Sequence, residues 1–412
     1  MKIVQINATY GIGSTGKIVR DISEKLIEDG HESYVMWATA HQKEEPKVNL
    51  IRIGGFLDHK LHALLYRLFG GQGGYSRLAT KRACRKIEAI KPDVVHLHNL
   101  HSNYINLPSL LRFLAERDIP TLITLHDCWF FSGQCCHYLN HACLGWQKEC
   151  SDCPAVGKRL RKKVKKTLAE RRALYESFDK LAVNGVSKWT AEVAGASVLK
   201  SASAIDYIYN WIDTDVYKPC GNPSEIRNKY GIPADKKIIL GVSQLWSEKK
   251  GLETFVDLAE RLSDVATVVL VGECNDGALA EKGIKCVGFT SSREELAELY
   301  SAADVLVNAS TVETFGLVTV ESMACGTPVV AYDNTGSSEI VEDGCGILVP
   351  DGDCNAMISA VRAVLDNGKE TYSAACRSYA VDNFEKEKQV RKYIELYRSI
   401  SSYDASSDVK EI

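Results

Sequence analysis

The chain has 412 residues, of which 50 are basic and 53 acidic, so its formal net charge is −3. This length is too great for one ordinary core and predicts two domains of about 200 residues each. The balanced charge excludes a general nucleic-acid binder, so we expect no nucleic-acid partner. The N-terminal MKIVQINATYG alternates like a strand. No apolar run approaches the roughly 18 residues of a membrane span, so we expect a cytoplasmic protein.

Apolar segments typical of strands alternate with helical patterns, which predicts an α/β fold with parallel sheets. The first series of strands lies near residues 2–8, 32–37, 93–98, 121–126, 181–186 and 205–209. The second series lies at 236–243, 266–272, 284–289, 304–310 and 327–332. We therefore expect two Rossmann-like domains, over 1–209 and 210–384, and a helix within 385–412. Parallel sheets of this kind bind ligands beyond the carboxyl ends of their strands, which predicts an interdomain cleft as the site.

A glycine-rich turn, YGIGSTGKI at 10–18, follows the first strand and opens a helix. Its glycines and Lys17 match the GxxxxGK of a phosphate-binding loop, but Ile18 replaces the Ser or Thr that would bind magnesium. An ATP-hydrolysing protein and a plain tight turn are the two alternatives. We expect the backbone near Gly13 and Ser14 to approach a donor phosphate or an acceptor.

Two strands of the first domain end in histidines. The segment VVHLHNLH supplies His96, His98 and His101, and TLITLHDCW supplies His126. Their position at strand ends favours a place in the cleft, with the first three facing the acceptor. A packed, hydrogen-bonded histidine is the alternative for each.

Six cysteines crowd into the insertion at 128–154, and the other eight lie singly along ordinary elements. Cys150-x-x-Cys153 has the spacing of zinc ligands, and Cys135 with Cys143 would complete a Cys₄ site in a reducing compartment. The spacing therefore predicts a structural zinc. Unmetallated thiols that stiffen a loop are the alternative.

A basic helix is predicted at 157–174, with nine basic residues and one acidic residue between Lys158 and Arg172. Segments of this composition favour anionic membrane surfaces. The pattern predicts peripheral contact with the inner leaflet of the plasma membrane. A solvated helix is the alternative.

The most informative segment is STVETFGLVTVESMACG at 310–326, which follows a buried strand and then takes up helical spacing. Glu313 falls in the loop and Glu321 falls within the helix. The backbone amides of Phe315, Gly316 and Leu317 would open the helix, where its dipole favours an anion such as a diphosphate.

This segment, with GTPVVA at 326–331 and NTGSSEIV at 334–341, resembles the donor site of the retaining GT-B glycosyltransferases of family four. The resemblance implies that Glu321 binds the ribose, that Glu313 approaches the transferred sugar, and that the amides at 315–317 hold the diphosphate. It also implies the GT-B fold and a tail helix that packs back on the first domain. His126 matches the family's histidine beside the reaction centre.

The resemblance extends to GVSQLWSEKKGL at 241–252, where relatives carry an arginine and a lysine that neutralise the leaving diphosphate. Lys250 matches the lysine, and Lys249 precedes it. The arginine position holds Gln244 or Leu245, depending on a one-residue gap. No metal is required for catalysis in such a site.

The cysteine-rich insertion resembles the enzymes assigned to colanic acid and capsular polysaccharide synthesis. We therefore expect a retaining hexosyltransferase that uses a UDP- or GDP-sugar and a lipid-linked glycan acceptor, with Lys250, Glu313 and His126 as catalytic residues. One alternative is a transferase of the same fold that acts on a small soluble acceptor. Another is a non-catalytic, nucleotide-binding scaffold of a polysaccharide-assembly complex.

Overall fold

The computed structural model describes residues 1–41, 48–141, 143–274 and 276–401. Of the tail predicted over 385–412, residues 402–412 lie outside this described part. The chain divides into two compact units. The first is Met1–Ile208 together with the segment that begins at Val390, and the second is Tyr209–Gln389.

The first unit alternates strands and helices from its first residues. Its strands are β1 (Lys2–Ile6), β2 (Thr9–Tyr10), β3 (Glu32–Trp37), β4 (Ala40–His41), β5 (Asn49–Arg52), β6 (Val94–Leu97), β7 (Thr121–Leu125), β8 (Leu181–Gly185) and β9 (Ala204–Tyr207). Its helices are α1 (Gly13–Glu28), α2 (Phe56–Phe69), α3 (Arg77–Ile90), α4 (Leu107–Glu116), α5 (Lys158–Tyr175) and α6 (Lys188–Gly195). Two short 3-10 turns, Tyr138–His141 and Gly145–Gln147, lie between β7 and α5.

Seven of these strands form one sheet in the order β5-β3-β1-β6-β7-β8-β9, and every neighbouring pair is parallel. Strands β6 and β7 are buried at every residue, as expected for a parallel sheet covered on both faces. Strands β2 and β4 pair with each other in a separate small ladder.

The second unit repeats the alternation. Its helices are α7 (Pro223–Tyr230), α8 (Leu252–Arg261), α9 (Asp276–Ala280), α10 (Arg293–Ala302), α11 (Leu317–Ala324), α12 (Cys354–Asn367) and α13 (Glu370–Phe384). Its strands are β10 (Lys237–Leu245), β11 (Ala266–Glu273), β12 (Ile284–Val287), β13 (Val305–Asn308), β14 (Val329–Asp333) and β15 (Gly346–Pro350). Two 3-10 turns span Glu248–Lys250 and Thr335–Ser337.

The six strands form a second parallel sheet in the order β12-β11-β10-β13-β14-β15. The chain builds this sheet outward from β10 in both directions, because β11 lies on one side of β10 and β13 lies on the other. Such a switch point opens a crevice at the carboxyl edge of the sheet, between the loops that follow the two strands.

Helix α14 (Lys386–Ile400) carries the chain into the first unit at Val390. Two of its tyrosines form hydrogen bonds with strands of the first sheet. The Tyr397 hydroxyl lies 2.7 Å from His96 Nδ1, and the Tyr393 hydroxyl accepts from Asn184 Nδ2 at 2.8 Å. His96 is thus a packed residue, and it lies within the unit rather than on its surface.

Helix α5 carries the predicted basic segment and turns its apolar face into the core of the first unit. Val164 and Leu168 are buried there, together with Arg171. The Arg171 guanidinium lies 4.0 Å from the ring centroid of Trp129 and donates to the carbonyl of Ser132 at 2.6 Å. The thin apolar stripe of this helix therefore contributes to the fold, and only its basic face is open to a partner. No helix in the described part of the chain has the length and apolar character to cross a membrane.

Two edge strands were missing from the sequence prediction. β5 is short and half-exposed, and β15 lies at the other unit's edge, so neither has the strong apolar run of a central strand. The predicted helix at 315–326 is also shorter, because α11 begins at Leu317 and ends at Ala324.

Candidate functional site

Three loops meet at the carboxyl edge of the second sheet. They follow the neighbouring strands β10, β13 and β14 and span 246–251, 309–316 and 334–339; we call them the edge loops. Backbone hydrogen bonds join them. Thr311 N donates to Lys249 O at 3.2 Å, and Gly336 N donates to Glu313 O at 2.9 Å.

Two glycines allow the edge loops to approach each other this closely. A Cβ atom on Gly251 would lie 2.4 Å from the Ala309 oxygen, and Gly251 also has a positive φ of 71°. A Cβ atom on Gly336 would lie 2.4 Å from the Thr314 oxygen. Any larger residue at either position would push the loops apart, since these are contacts with backbone atoms.

The edge loops bring together Lys250 and Glu313, two of the predicted catalytic residues. The Lys250 Nζ atom lies 2.6 Å from Glu313 Oε1, and the two side chains are 37% and 18% exposed. The Glu313 amide donates to Thr335 Oγ1 at 3.0 Å, which fixes the loop around the carboxylate. A cation and a carboxylate are thereby presented side by side to solvent, while Lys249 next to them is exposed.

Glu321 lies half-buried on α11 and is positioned by tyrosines. The Tyr300 hydroxyl donates to Glu321 Oε2 at 2.9 Å. Burial, with the charge and the hydrogen bond of Glu321, raises the pKa of both Tyr300 and Tyr217 above the ordinary range. Both hydroxyls therefore stay protonated and can donate to this carboxylate.

The start of α11 offers backbone amides rather than side chains. Phe315 is buried and packs on Tyr209 and Phe384 at ring-centroid distances of 5.8 and 5.6 Å. Gly316 follows with a φ of 95°, and the helix begins at Leu317. The first amides of a helix have no partner within it, so this end can receive an anion.

In the first unit, His126 directly follows β7 and belongs to a chain of hydrogen bonds whose directions are fixed. Gln5 Nε2 donates to the Val19 carbonyl and to Ser23 Oγ, which leaves Gln5 Oε1 as an acceptor at 3.1 Å from His98 Nε2. His98 Nε2 therefore carries the proton, and its Nδ1 accepts from His126 Nε2 at 3.0 Å.

This chain sets the chemistry of His126. With the proton on Nε2, the neutral ring has Nδ1 as its acceptor. Burial lowers the pKa of His126 to about 4, and the nearby His101 adds to this, whereas Asp127 opposes it. His126 is thus a neutral imidazole near pH 7 that can accept a hydrogen bond from a hydroxyl. His96 and His98 are buried, and burial holds the pKa of each well below its ordinary range.

The glycine-rich turn lies at the carboxyl end of β1 in the same unit. Gly13 and Ser14 are exposed at the start of α1, and Gly13 has a φ of 70°. Behind them, a Cβ atom on Gly16 would lie 2.7 Å from Thr9 Oγ1, so the turn is held against the small ladder. The exposed amides at the helix start are therefore open to a ligand.

Comparison with protein-family models decides which family this chain belongs to. A model described as Glycosyltransferase Family 4 matches residues 15–216, and one described as Glycosyl transferases group 1 matches residues 236–367. Together they cover most of both units. The chain belongs to the family 4 glycosyltransferases.

Relatives and solved structures agree with this assignment. A protein of Escherichia coli K12 named as a colanic acid biosynthesis glycosyl transferase is 23% identical over 85% of this glycosyltransferase and 87% of its own length. A D-inositol 3-phosphate glycosyltransferase of Mycolicibacterium smegmatis is 34% identical, but the match spans only 43% of this chain and 44% of that relative.

Among solved structures, sucrose-phosphate synthase of Thermosynechococcus elongatus superposes with a TM-score of 0.70 at 22% identity, covering 97% of this chain and 98% of that one. Anabaena HepE in complex with UDP-glucose gives a TM-score of 0.64 at 18% identity, covering 97% and 100% of the two chains. These likenesses show the fold, which is the GT-B fold of two α/β domains with parallel sheets.

The cysteine-rich insertion of this glycosyltransferase gathers the predicted zinc ligands near one another. Burial, with the neighbouring thiols of Cys153, Cys150 and Cys143, raises the pKa of Cys135 to about 12. Cys150 and Cys153 are buried, and Cys135 and Cys143 are half-buried. Cys135 therefore lies near the other three thiols, although the four are not as tightly grouped as a second set nearby.

That second set is His101, Asp127 and Cys136, whose ligand atoms all lie within 4.8 Å of one another. His101 and Asp127 are in direct contact, because His101 Nε2 lies 2.9 Å from Asp127 Oδ2. Burial alone would raise the pKa of Asp127, but His101 and the amide of Trp129 lower it below its ordinary value. The carboxylate is thus charged and orients the loop that follows His126.

Sequence reasoning missed the tyrosines around Glu321 and the role of Gln5. Tyr300 lies on α10 and Gln5 on β1, far along the chain from the residues they contact. The sequence did offer one signal for Gln5, since it is a polar residue inside an apolar strand. A polar side chain that is buried in this way needs a hydrogen-bond partner.

Proposed function

We propose that this glycosyltransferase moves a hexose, with retention of configuration, from a UDP- or GDP-sugar onto a lipid-linked intermediate of a surface polysaccharide. Lys250, Glu313 and Glu321 would bind and activate the donor in the second unit. His126 would orient the sugar from the first unit. Gly13, Ser14 and Lys249 would contact the donor phosphates.

The observation that carries this proposal is the ion pair of Lys250 and Glu313 at the switch point of the second sheet. Lys250 supplies a positive charge beside the N-terminus of α11, and Glu313 supplies an acceptor for sugar hydroxyls. The complex of the Anabaena neighbour with UDP-glucose supports a nucleotide-sugar donor. Tyr300 would hold Glu321 in the orientation that a ribose diol requires.

The proposed chemistry needs no nucleophile from the protein. The bond between the sugar C1 and the donor phosphate oxygen breaks, and the acceptor oxygen bonds to C1 on the same face. The acceptor proton passes to the departing phosphate. Lys250 and the amides of Phe315 to Leu317 would stabilise the charge on that phosphate, the term that usually contributes most to such reactions. Because these groups can supply the positive charge, we propose that catalysis requires no metal.

The acceptor assignment rests on the colanic acid relative and on the basic face of α5. Nine basic residues lie between Lys158 and Arg172, and helix α5 turns all but its buried Arg171 away from the core. Such a face favours an anionic leaflet, where lipid-linked glycans reside. We propose peripheral binding at the cytoplasmic face of the membrane.

A transfer assay tests the proposal. The protein is incubated with each common UDP- and GDP-hexose and a membrane lipid extract, and the sugar recovered in the lipid phase is measured. We expect one donor to label the lipid phase, and the product to keep the donor's anomeric configuration by NMR. The Glu321→Ala variant should lose this labelling at low donor concentration. A product with the opposite anomeric configuration to the donor would contradict retention.

Two alternatives have specific support. The inositol phosphate glycosyltransferase relatives favour a small soluble acceptor, in which case the lipid phase stays unlabelled while a soluble glycoside forms. The exposed Gln244 and Leu245 at the end of β10 leave the family's arginine position without a cation, which favours a nucleotide-binding scaffold. The scaffold would bind nucleotide and transfer no sugar.

We also propose that Cys135, Cys143, Cys150 and Cys153 bind a structural zinc ion. Cys135 lies near the other three thiols, and all four are buried or half-buried, which fits a closed Cys₄ site. The ion would hold the insertion that packs Trp129 and Trp146 into the core. It would have no part in sugar transfer.

A further inference from the structure

A pocket of about 400 Å³ lies in the first unit between α3, α4 and α5. We call it the basic pocket and define it by Arg77, Arg112, Lys163, Lys166 and Glu170. Arg77 opens α3, Arg112 lies on α4, and the other three share one face of α5 because they are three and four positions apart.

The charge of the basic pocket is not balanced by the protein. Four cations line it against one carboxylate, and within the described residues none of the four forms an ion pair. The neighbouring cations on α5 behave differently. Arg161 pairs with Asp152, and Lys165 pairs with Glu149 at 2.6 Å. The four cations of the pocket therefore lack the carboxylate partners that Arg161 and Lys165 have.

Four cations around one cavity repel one another unless an anion enters. Two of them are arginines, whose planar guanidinium matches phosphate oxygens, and two are lysines, which act as point charges. The first turn of α4, with Ser109 at the pocket wall, adds the positive end of a helix dipole. A phosphate or diphosphate fits this chemistry, because it carries several negative charges in a small volume.

A row of exposed leucines on α2 indicates where such an anion comes from. Leu57, Leu61, Leu64 and Leu68 are 80%, 55%, 52% and 51% exposed. They lie four, three and four positions apart, so they form one stripe along the helix, the leucine stripe. Phe56 and Phe69 at the helix ends are also exposed. An exposed apolar face of this extent marks a partner or a membrane.

The leucine stripe ends beside the basic pocket. Gly70 and Gly71 follow α2 directly, and their ideal Cβ positions lie 3.4 Å from Leu160 Cδ2 and 2.5 Å from Lys163 Cε, both on α5. Lys163 therefore belongs to the pocket and touches the end of α2. A lipid with a phosphate headgroup has an apolar part and an anionic part. The leucine stripe fits the apolar part, and the adjoining basic pocket fits the phosphate.

We propose that the basic pocket binds the phosphate or diphosphate of the lipid carrier, while the leucine stripe lies in the bilayer interface. This inference rests on the proposed function and gives its lipid-linked acceptor a docking site. The pocket is formed within the first unit alone, and none of the residues proposed to bind the donor lines it. Its cations are positioning residues for the acceptor.

Vesicle flotation with the full chain tests the inference. The probes are phosphatidylcholine vesicles alone, the same vesicles with a long-chain isoprenyl diphosphate, and vesicles with phosphatidylglycerol at equal total charge. We expect the isoprenyl diphosphate vesicles to bind tightest. The pocket variant, Arg112→Gln with Lys166→Gln, should weaken that binding by about tenfold or more. The matched control, Arg159→Gln with Lys162→Gln, removes the same charge from α5 outside the pocket and should weaken it less than about threefold.

A second pair of measurements separates the headgroup from the lipid. Calorimetry with inorganic diphosphate should show binding to the wild type and to Leu61→Gln with Leu64→Gln, but not to the pocket variant. The same leucine variant should lose flotation. Equal losses in the pocket variant and its control would overturn the inference, because they would show only general attraction to charge. Unaltered flotation of the leucine variant would overturn the role of the stripe.

A nucleotide-binding measurement distinguishes failure of the basic pocket from failure of the proposed function. Stabilisation of the protein by a uridine or guanosine nucleotide depends on the second unit and should be the same in the pocket variant and the wild type. If vesicle binding behaves as expected and no nucleotide stabilises the protein, the transfer reaction is wrong and the pocket stands. If nucleotide stabilises the protein and the pocket variant floats like the wild type, the pocket is wrong and the reaction stands.

Discussion

Lys250 and Glu313 neutralise each other at 2.6 Å, and this pairing has a consequence for donor binding. A nucleotide diphosphate that reaches Lys250 must compete with the Glu313 carboxylate or join it. Because both side chains are partly solvated, the pair itself contributes little to stability. In the proposed function, the pair presents a cation and an acceptor at a fixed separation before the donor arrives.

Replacing Lys250 should therefore impair turnover more than folding. For Lys250→Ala we expect kcat to fall by about 100-fold or more, because this variant lacks the charge that we propose stabilises the departing phosphate. The midpoint of thermal unfolding should stay close to that of the wild type. Steady-state kinetics with the donor that supports transfer measures the effect. Lys282→Ala, an exposed lysine of the same unit, is the matched control and should behave like the wild type. A fall in kcat of less than threefold in Lys250→Ala would contradict the assignment.

The protonation state of His126 gives a second prediction at this scale. Its pKa is lowered to about 4, and its Nε2 proton is donated to His98, so the ring is neutral near pH 7 and would act in that form. We expect kcat/KM to be flat through pH 6.5, the ordinary histidine pKa, and to fall only toward about pH 4. A pH profile of kcat/KM, with circular dichroism to verify folding, measures this. An inflection near pH 6.5 that disappears in His126→Asn would contradict the lowered pKa.

Helix α2 is fixed to the start of α3 by a buried histidine. His62 is 1% exposed, and its Nδ1 donates to Ser76 Oγ at 2.9 Å, which in turn donates to Asp58 Oδ2 at 2.8 Å. Burial lowers the pKa of His62 from 6.5 to about 4, although Asp58 opposes the shift. The helix that carries the leucine stripe is therefore attached through a neutral imidazole.

This attachment makes stability depend on pH in a definite direction. Between about pH 6.5 and pH 4 the unfolded chain binds a proton at His62 that the folded chain does not. The free energy of unfolding should therefore fall on acidification, and His62 should account for about 1 to 2 kcal/mol of the loss between neutral pH and pH 5. Urea unfolding of wild type and His62→Gln across this range measures it. His62→Gln should lose less stability on acidification, and an equal loss in both proteins would contradict the account.

The insertion at 128–154 is the element whose order depends most on the proposed zinc. Cys150→Ser with Cys153→Ser should release the ion and lower the midpoint of thermal unfolding, because the aromatic residues of the insertion belong to the core. Metal analysis of the purified protein should find one zinc per wild-type chain and none in the variant. Cys84→Ser, a buried cysteine on α3, is the control and should keep the zinc. A wild-type protein purified without chelators that contains no zinc would contradict the site.

For the molecule as a whole, apolar runs and strand ends predicted both parallel sheets and the position of the edge loops. Glu313 and Glu321 could be found because their spacing and their glycine neighbours form a local pattern. Tyr300 and Gln5 could not, because each contacts its partner through strand and helix packing that no local pattern records. The same holds for the buried Arg171, which sequence reasoning counted with the solvated charges of α5. Composition alone does not distinguish a core cation from a surface one.

The central claim is that the second unit binds a nucleotide sugar through Glu321, held by Tyr300. Thermal unfolding in the presence of UDP, GDP, ADP, ATP and their common sugar conjugates tests it most directly. At about 100 times its Kd a ligand stabilises the fold by about 2.7 kcal/mol. We expect a response to uridine or guanosine nucleotides, lost in Glu321→Ala and weakened in Tyr300→Phe, with Tyr372→Phe as the unaffected control. A response to ATP alone, or a nucleotide response that persists unchanged in Glu321→Ala, would contradict the account.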